Sequence, residues 1–315
     1  MKYKMRNTGA LTDALPWLRR MARTAVAVQR GMVAIMAGAA LLSACDSFEY
    51  HPYASNIYGR KNIHKESIAE IERICMGRDT VCFAFITDTQ GSLDETQDAI
   101  AYLRERSDVL FLLHGGDQSD FGLTKEFLWC RDVMETLHKP YLCVIGNHDC
   151  LGTGEHTFET IYGKDNFSLN AAFLHIVGLN TVALEYDYSH PVPDFNFMEE
   201  DITATLQHDS ITNTLVLMHA RPFDEQFNNN VAKVFQRYIT AYPGMREDDV
   251  RYNDDSERNG SRKRGVCING HRHSTDVRDL FNDGVLYRGL ENMEHRVLQI
   301  YTITRDGYDV ETVSY

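Results

Sequence analysis

The chain has 315 residues, of which 43% are hydrophobic, and its formal net charge is −13. This length and composition allow a large buried core, and the acidic balance argues against a general nucleic-acid-binding protein, whose contact surface would be basic. An acidic chain can still bind phosphate where metal ions reverse the local charge.

The first 44 residues predict an export signal, with Met21 as an alternative start. They carry seven Lys or Arg and one acidic residue, Asp13, and they end in a short apolar stretch over residues 32–44. That stretch is too short to span a membrane and suits the apolar part of a signal peptide. The following Leu42-Ser43-Ala44-Cys45 resembles the lipobox of bacterial lipoproteins. By that resemblance Cys45 is lipidated and anchors the mature protein to a membrane, in the periplasm or at the cell surface.

The other cysteines are predicted to be structural. They are Cys75, Cys82, Cys130, Cys143, Cys150 and Cys267. An even number of cysteines in an exported chain permits disulfides. Several of them lie within apolar, strand-like runs, however, where a free cysteine behaves as a small hydrophobic side chain.

The first half of the mature chain predicts an α/β unit. Residues 45–75 form a tether and a first helix. Apolar runs then alternate with helical patterns, which is typical of a β-α-β-α-β arrangement. The predicted strands cover residues 81–86, 109–113 and 141–145, and the predicted helices cover residues 92–106 and 124–137.

The second half predicts further strands. Residues 167–186 alternate like antiparallel strands, 213–218 form a buried strand and 231–242 a helix. Residues 247–264 are dense in charges of both signs and predict a mobile loop. Residues 265–315 contain several short strands, with turn signals at 282–284 and 305–307. We expect these last strands to form a second sheet packed on the first, within a single domain over residues 76–315.

A short polar segment follows each of five apolar runs. The side chains in these segments that can bind a metal ion are Asp88, Gln90, Asp117, Asn147, His148, His219, His271 and His273. Ligand sites in an open α/β sheet collect beyond the carboxyl ends of the strands, so we expect these side chains to share one rim. Carboxylate, amide and imidazole groups in this number indicate a site for more than one divalent ion.

Two divalent ions would outweigh the charge of two carboxylates and would suit a phosphate ester. Such a site also lowers the pKa of a bridging water, so that a hydroxide can attack phosphorus. His148 has no role among these metal-binding side chains if it is not itself a metal ligand. We therefore expect it to donate a proton to the leaving group, with Asp149 orienting its ring and favouring its protonated form.

The set of motifs resembles the calcineurin-like metallophosphoesterase superfamily, whose pattern runs DxH, GDxx, GNH[DE], a lone His and GHxH. The match spans about residues 80–275 in the right order. The resemblance implies a four-layer αββα sandwich of two mixed β-sheets flanked by helices. It also implies a first metal ion held by Asp88, Gln90, Asp117 and His273, and a second held by Asp117 as bridge with Asn147, His219 and His271. His148 would be the general acid.

Gln90 departs from the family pattern, which has histidine at this position in most members. An amide oxygen is a harder and weaker ligand than imidazole, so among Mn²⁺, Fe²⁺, Zn²⁺ and Mg²⁺ we expect a preference for Mn²⁺. Some branches of the superfamily also carry glutamine here. Alternatively, Gln90 forms a hydrogen bond and leaves a water at that coordination position.

Other polar residues near these motifs have weaker signals. Arg221 and His156 could contact a substrate phosphate, although Arg221 could equally pair with Asp224 or Glu225. His114 is expected to be structural, and Asp120 is expected either to support a metal ligand by a hydrogen bond or to cap its loop. Arg272 lies between two predicted ligands and is expected to face solvent.

The sequence thus predicts an exported, membrane-anchored phosphoesterase. Both a phosphomonoesterase and a phosphodiesterase or nucleotide-pyrophosphate hydrolase fit, and residues 222–264 are expected to form a cap or rim that distinguishes them. A non-catalytic binding lipoprotein with the same fold is the alternative from another class. The HExxH motif of metalloproteases is not present.

Overall fold

The structure is a computed structural model that describes residues 17, 20, 21, 23–33, 36, 56–184, 190–246 and 263–315. The chain separates into two compact units, Met1–Pro52 and Tyr53–Tyr315. In the first unit the described residues are helical and exposed. None of the helices within the described ranges is long and apolar enough to cross a membrane. Cys45 and most of the predicted signal, like most of the predicted loop at 247–264, lie outside the described residues.

The second unit alternates helices and strands. In chain order they are α1 (Ile63–Cys75), β1 (Thr80–Ile86), α2 (Leu93–Glu105), β2 (Phe111–His114), α3 (Thr124–Glu135), β3 (Tyr141–Cys143), α4 (Gly154–Ile161), β4 (Phe167–Ala171), β5 (Leu174–Leu179), α5 (Phe195–Thr205), β6 (Asn213–Met218), α6 (Ala232–Ile239), β7 (Val266–Asn269), β8 (Val277–Asp279), β9 (Leu286–Gly289), β10 (Val297–Thr304) and β11 (Gly307–Ser314). Short 3₁₀ turns lie at His148–Cys150, Asn229–Val231 and Met293–His295.

These strands form two mixed sheets. The first has the order β11-β10-β1-β2-β3, and the second has the order β4-β5-β6-β7-β9-β8. Strands β1, β2 and β3 run parallel to one another, which confirms the predicted β-α-β-α-β unit. Strands β5, β6, β7 and β9 are also parallel, with β4 and β8 antiparallel at the edges.

The core lies in three layers because alternate residues of a strand face opposite sides of its sheet. Phe83 and Phe85 of β1 pack between the two sheets, in one cluster with Leu215 of β6. Ala84 faces the other way and joins Phe127 in the cluster beneath α2 and α3. A third cluster lies between the second sheet and helices α5 and α6, and it includes Phe235. The expected four-layer αββα sandwich is therefore confirmed.

The end of the chain differs from the expectation. Strands β7, β8 and β9 belong to the second sheet, but β10 and β11 form an antiparallel hairpin that joins β1 in the first sheet. Tyr301 and Ile303 of β10 pack between the sheets, while Leu298 and Ile300 face the helices. The hairpin thus covers the edge of β1, which would otherwise expose unpaired backbone groups.

Two other features complete the comparison. Helices α4 and α5 were not predicted. Helix α5 begins after Asp194, whose side chain accepts hydrogen bonds from the backbone N–H groups of Asn196 and Phe197. All six cysteines in the described part of the second unit are buried and free, in agreement with structural roles.

Candidate metal centre

The metal-binding side chains predicted from the sequence meet at one rim of the sandwich. Asp88 and Asp117 follow β1 and β2, and His219 follows β6. One potential ligand atom from each of these residues lies within 4.8 Å of the others, and all three residues are buried. Because β1 and β2 belong to the first sheet and β6 to the second, the centre lies where the two sheets meet.

The ring of His219 is oriented towards the two carboxylates. Its Nδ1 lies 2.8 Å from the carbonyl oxygen of Gly115, so Nδ1–H donates there and Nε2 faces the cluster. Nε2 lies 3.2 Å from Oδ2 of Asp117. Burial lowers the pKa of His219, but the negative charges of Asp117 and Asp88 outweigh burial and raise this pKa to about 10.

Asn147 connects two of the histidines. Its Oδ1 lies 3.0 Å from Nε2 of His219 and 3.0 Å from Nδ1 of His271. The other ring nitrogen of His271, Nε2, lies 3.1 Å from Oε1 of Glu225. The Asn147 oxygen and the two imidazole nitrogens are therefore close enough together to be ligands of one cation.

Asp88 and His273 form the opposite side of the centre. Nε2 of His273 lies 3.2 Å from Oδ1 of Asp88. The Asp88 carboxylate also accepts hydrogen bonds from the Thr87 hydroxyl, at 2.6 Å, and from the His271 backbone N–H. Burial would raise the pKa of Asp88, but the hydrogen bond to His273 and the charge of His219 hold it below its usual value.

Gln90 lies at the edge of the same cluster. Its Nε2 is 3.5 Å from Oδ2 of Asp117. Its Oε1 is buried and has no hydrogen-bond partner among the described residues. A buried acceptor without a donor is costly unless a cation or another group completes it. The unpartnered Oε1 therefore suits a metal ligand. The contact between Nε2 and Asp117 instead fits the alternative in which Gln90 forms a hydrogen bond and a water takes the coordination position.

His148 is oriented by a different residue from the expected one. Its Nδ1 lies 2.8 Å from the backbone carbonyl of Asp120, which leaves Nε2 free to face a substrate. The expected contact with Asp149 is not formed. Oδ1 of Asp149 instead accepts from the backbone N–H groups of Gln118 and Ser119, and Oδ2 accepts from that of Gly146. The predicted role of Asp149 in orienting His148 is therefore wrong.

Asp149 ties together two of the loops that carry predicted ligands. Gly146 belongs to the loop of Asn147, whereas Ser119 belongs to the loop of Asp117. Burial, together with the nearby charge of Asp117, raises the pKa of Asp149 to about 7, although the hydrogen bonds oppose this shift. The carboxyl group of Asp149 therefore contributes to the site by holding these two loops in place.

Of the two roles predicted for Arg221, the structure shows pairing, because its backbone N–H donates to Oδ2 of Asp224 and its Nε lies 3.9 Å from Oδ1 of the same residue. Arg221 is 4% exposed, and its two terminal guanidinium nitrogens lie 2.8 and 2.9 Å from the carboxylate of Asp276. The guanidinium group of Arg221, which could have contacted a substrate phosphate, is therefore paired with Asp276. Arg272 is half-exposed, as predicted, and pairs with Asp224 at 2.9 Å.

Two further histidines were considered from the sequence, His114 and His156. His114 is buried, and its Nε2 lies 3.1 Å from the Thr89 hydroxyl, in agreement with a structural role. Burial lowers the pKa of His114 to about 4. His156 is exposed on α4, and its contact with a substrate stays a prediction.

The backbone at the centre adopts unusual conformations. Among the described residues, ten that are not glycine have positive φ, and four of these ten are Asp88, Asp117, His271 and His273. Such conformations cost free energy, and they concentrate at functional sites. Close approach adds a second constraint, because a Cβ atom at Gly146 would collide with the Asp117 carboxylate.

Glu225 and Asp276 are site residues that sequence reasoning missed. Glu225 was considered only as a partner of Arg221, and Asp276 was not considered. Both lie in loops, and their partners are 46 and 55 residues away in the chain. No spacing rule connects such positions, so only the folded loops reveal the contacts.

Comparison with known proteins identifies the family. The family model for calcineurin-like phosphoesterases matches residues 83–303. No curated protein sequence matches the chain.

Several solved structures share the fold at low sequence identity. A dimetal phosphatase from Danio rerio has a TM-score of 0.52 and 12% identity, over 75% of this chain and 99% of that one. Purple acid phosphatase PPD1 from yellow lupin has a TM-score of 0.51 and 12% identity, over 76% and 55%. GAP50, the anchor in the inner membrane complex of Plasmodium, has a TM-score of 0.53 and 10% identity, over 75% and 85%. The family match covers most of the chain, so the protein belongs to the calcineurin-like phosphoesterase family and is a hydrolase of phosphoric ester bonds.

Proposed function

We propose that the protein is an exported, lipid-anchored phosphoesterase that uses two divalent metal ions at this centre. The first ion would be held by Asp88, Gln90, Asp117 and His273. The second would be held by Asp117, Asn147, His219 and His271. The side chains form two groups that share Asp117, and each group combines oxygen and imidazole ligands.

The observation that carries this proposal is the convergence of potential metal-ligand atoms at one buried site. Asp88, Asp117 and His219 offer ligand atoms within 4.8 Å of one another. Oε1 of Gln90 is buried without a partner, and Nε2 of His219 faces carboxylate and amide oxygens. Hard oxygen and borderline nitrogen ligands in this mixture fit Mn²⁺, which we propose as the preferred ion.

Different residues of the chain would have different roles in ester hydrolysis. When bound, two divalent ions would supply positive charge for the phosphate oxygens and lower the pKa of the attacking water. His148 is held through Nδ1 by the carbonyl of Asp120, so its Nε2 is directed to protonate the leaving oxygen. Asp149 keeps the loops of Asp117 and Asn147 in register.

In the part of the rim that the structure describes, two of the predicted site histidines are partly exposed to solvent. The side chains of His148 and His273 are 38% and 42% exposed. This openness supports a phosphodiesterase or nucleotide-pyrophosphate hydrolase over an enzyme that encloses a small monoester. Glu225 brings one part of the predicted rim to His271, and residues 247–262 of that rim lie outside the described part of the chain.

The experiment is metal analysis and turnover on the same purified sample. The full chain is prepared with Mn²⁺, and bis(p-nitrophenyl) phosphate is compared with p-nitrophenyl phosphate. We expect about two ions per chain and faster hydrolysis of the diester. A sample that binds no metal and hydrolyses neither ester would support the non-catalytic binding protein instead.

The membrane anchor rests on the sequence Leu42-Ser43-Ala44-Cys45. Incorporation of labelled palmitate in a bacterial host measures it directly. Wild type should become labelled and sediment with membranes, whereas Cys45→Ser should not. Equal labelling of wild type and Cys45→Ser would refute lipidation at Cys45. That result would not bear on the proposed hydrolase activity.

A further inference from the structure

Two neighbouring loops of the second sheet carry three of the predicted ligands. The β6 loop (residues 219–225) begins with His219, and the β7 loop (residues 270–276) contains His271 and His273. Strands β6 and β7 are parallel neighbours, so both loops leave the same edge of the sheet. The ring centroids of His219 and His271 are 5.1 Å apart. This spacing depends on how the two loops are held relative to each other.

Two pairs of charged side chains join these loops. Arg221 of the β6 loop donates two hydrogen bonds to the carboxylate of Asp276 in the β7 loop, at 2.8 and 2.9 Å. In the opposite direction, Arg272 of the β7 loop donates to Oδ1 of Asp224 in the β6 loop at 2.9 Å. Each loop therefore supplies one cation and one carboxylate to the other.

The two pairs meet at Asp224. Its Oδ2 accepts a hydrogen bond from the backbone N–H of Arg221 at 3.2 Å, and its Oδ1 lies 3.9 Å from Nε of the same residue. Asp224 and Arg221 are both buried. A bidentate arginine–carboxylate pair fixes direction as well as distance, and a buried pair is little screened by salt. The network is therefore suited to hold the two loops in one arrangement.

The network acts on a part of the β7 loop that has a strained backbone. His271 and His273 have φ values of 70° and 46°. Such conformations persist only where the surrounding structure imposes them. Arg272 lies between these two histidines, and Asp276 follows three residues after the second. The backbone carbonyl of Asp276 also accepts a hydrogen bond from Gly289 of β9 at 2.9 Å, which holds the end of the loop.

Stability of the fold does not by itself explain a buried ion pair at this place. Removal of two charges from water costs free energy, and apolar side chains often replace such a pair without loss of stability. Apolar contacts cannot supply the directional geometry of a guanidinium group on a carboxylate. Arg221 is two residues after His219 in the chain, so this geometry is imposed close to a predicted ligand.

We infer that Arg221 and Asp276 are positioning residues that set the spacing of His219 relative to His271 and His273. Each of the two acts through the loop that carries the ligands and not by contact with an ion or a substrate. This inference rests on the proposed function, because it takes the three histidines as ligands of the two ions.

The double variant Arg221→Met/Asp276→Asn tests the pair without leaving a single buried charge. Both charges are removed together, and asparagine has the shape of aspartate. The matched control is Arg73→Met/Glu70→Gln in α1, where the arginine also forms two hydrogen bonds to the carboxylate but both side chains are exposed. Isothermal titration calorimetry measures the affinity for Mn²⁺, and urea unfolding of the metal-free chain measures stability.

We expect the double variant to bind Mn²⁺ about tenfold more weakly than wild type, the effect usual for residues that orient metal ligands. The midpoint of urea unfolding should stay near that of wild type, because no unpaired charge remains. The control should match wild type in both measurements. Wild-type affinity in the double variant would overturn the inference. Weaker binding together with a clearly lower midpoint would also overturn it, since the pair would then support the fold in general.

The single variant Arg221→Lys separates geometry from charge. Lysine keeps the positive charge but cannot form the two parallel hydrogen bonds to Asp276. We therefore expect its affinity for Mn²⁺ to fall by about the same factor as in the double variant. Full affinity in Arg221→Lys would show that charge alone is sufficient and would overturn the positioning role.

Hydrogen exchange of the metal-free chain provides a measurement that does not depend on an ion. The backbone N–H groups of the β7 loop should exchange faster in the double variant than in wild type, because the loop opens more easily. Equal exchange rates would overturn the inference. If wild type binds no Mn²⁺, the proposed function fails, and the exchange rates still decide whether the pair holds the loop.

Discussion

Oε1 of Glu225 lies 3.1 Å from Nε2 of His271, on the side of the ring opposite the metal centre. Nδ1 of the same ring faces Asn147 at 3.0 Å. A carboxylate that accepts the second N–H of a ligating imidazole fixes its orientation and increases its basicity. Glu225 is therefore a positioning residue for His271, although its side chain is 72% exposed.

The variant Glu225→Gln should weaken Mn²⁺ binding about tenfold, at the lower end of such effects because the carboxylate is exposed. Isothermal titration calorimetry measures this affinity without a substrate. Glu200→Gln, an exposed glutamate of α5, is the control and should match wild type. An unchanged affinity in Glu225→Gln would show that the contact is incidental.

His148→Ala should separate proton donation from metal binding. We expect a loss of about 10²–10⁴-fold in kcat, the usual contribution of a general acid. Metal content should not change, since Asp120 and not a ligand holds the ring. The exposed His208 gives a control in His208→Ala, which should retain full activity. Equal turnover in wild type and His148→Ala would refute the assignment.

Asp149→Asn should destabilise the protein and weaken the connection between the loops of Asp117 and Asn147. The carboxylate accepts several backbone N–H groups, and an amide nitrogen would face at least one of them without an acceptor. The free energy of unfolding should fall by about 1–3 kcal/mol, the cost of a buried unsatisfied group. Urea unfolding measures it, with Asp120→Asn as control because that carboxylate is half-exposed. An Asp149→Asn chain as stable as wild type would contradict the tie between the loops.

Gln90→His should change which metal is preferred. Imidazole is a softer ligand than an amide oxygen, so the ratio of Zn²⁺ to Mn²⁺ affinity should rise. Competition between the two ions, followed by elemental analysis, gives the ratio directly. If wild type and Gln90→His take up the ions in the same proportion, the amide of Gln90 is not a ligand.

Acid should destabilise the fold through His64, far from the ligands in the sequence. Burial lowers its pKa from 6.5 to about 3, and its Nε2 accepts from the backbone N–H of Cys143 at 3.2 Å. Because the folded pKa is depressed, the contribution of the neutral ring is present above pH 6.5 and is lost as the pH falls towards 3.

The loss amounts to at most about 1.4 kcal/mol per pH unit. His64→Gln keeps an acceptor for Cys143 and removes the titration. Its stability should therefore depend less steeply on pH between about 4 and 6 than that of wild type. Identical slopes in the two proteins would refute the prediction.

The family resemblance of the motifs implied the layers of the fold, and the apolar runs predicted the set of converging side chains. Each predicted ligand follows an apolar run, and the carboxyl ends of parallel strands meet at one edge. The placement of β10 was not predictable in the same way. Both faces of β10 are apolar, with Leu298 and Ile300 on one and Ile303 on the other, so the pattern suits either sheet and only pairing with β1 decides between them.

Contacts between loops were the second feature that could not be predicted from the sequence. Asp149 is adjacent to His148 in the chain, yet its oxygens bind backbone groups of a loop about 30 residues earlier. Arg221 is three residues from Asp224 but forms its bidentate pair with Asp276. Loop conformation determines both contacts, and side-chain type and spacing carry little information about it.

The pairing of Thr80 with Thr304 joins the first of the described strands, β1, to the last but one, β10. Strand β1 leads directly to Asp88, and the backbone carbonyl of Asp88 accepts a hydrogen bond from Met293. A nascent chain that stops before residue 297 would already contain every predicted ligand, yet β1 would have one edge without a partner. Pairing with β10 and β11 therefore closes the edge of the strand that leads to Asp88, which gives the C-terminal hairpin a part in holding that carboxylate in place.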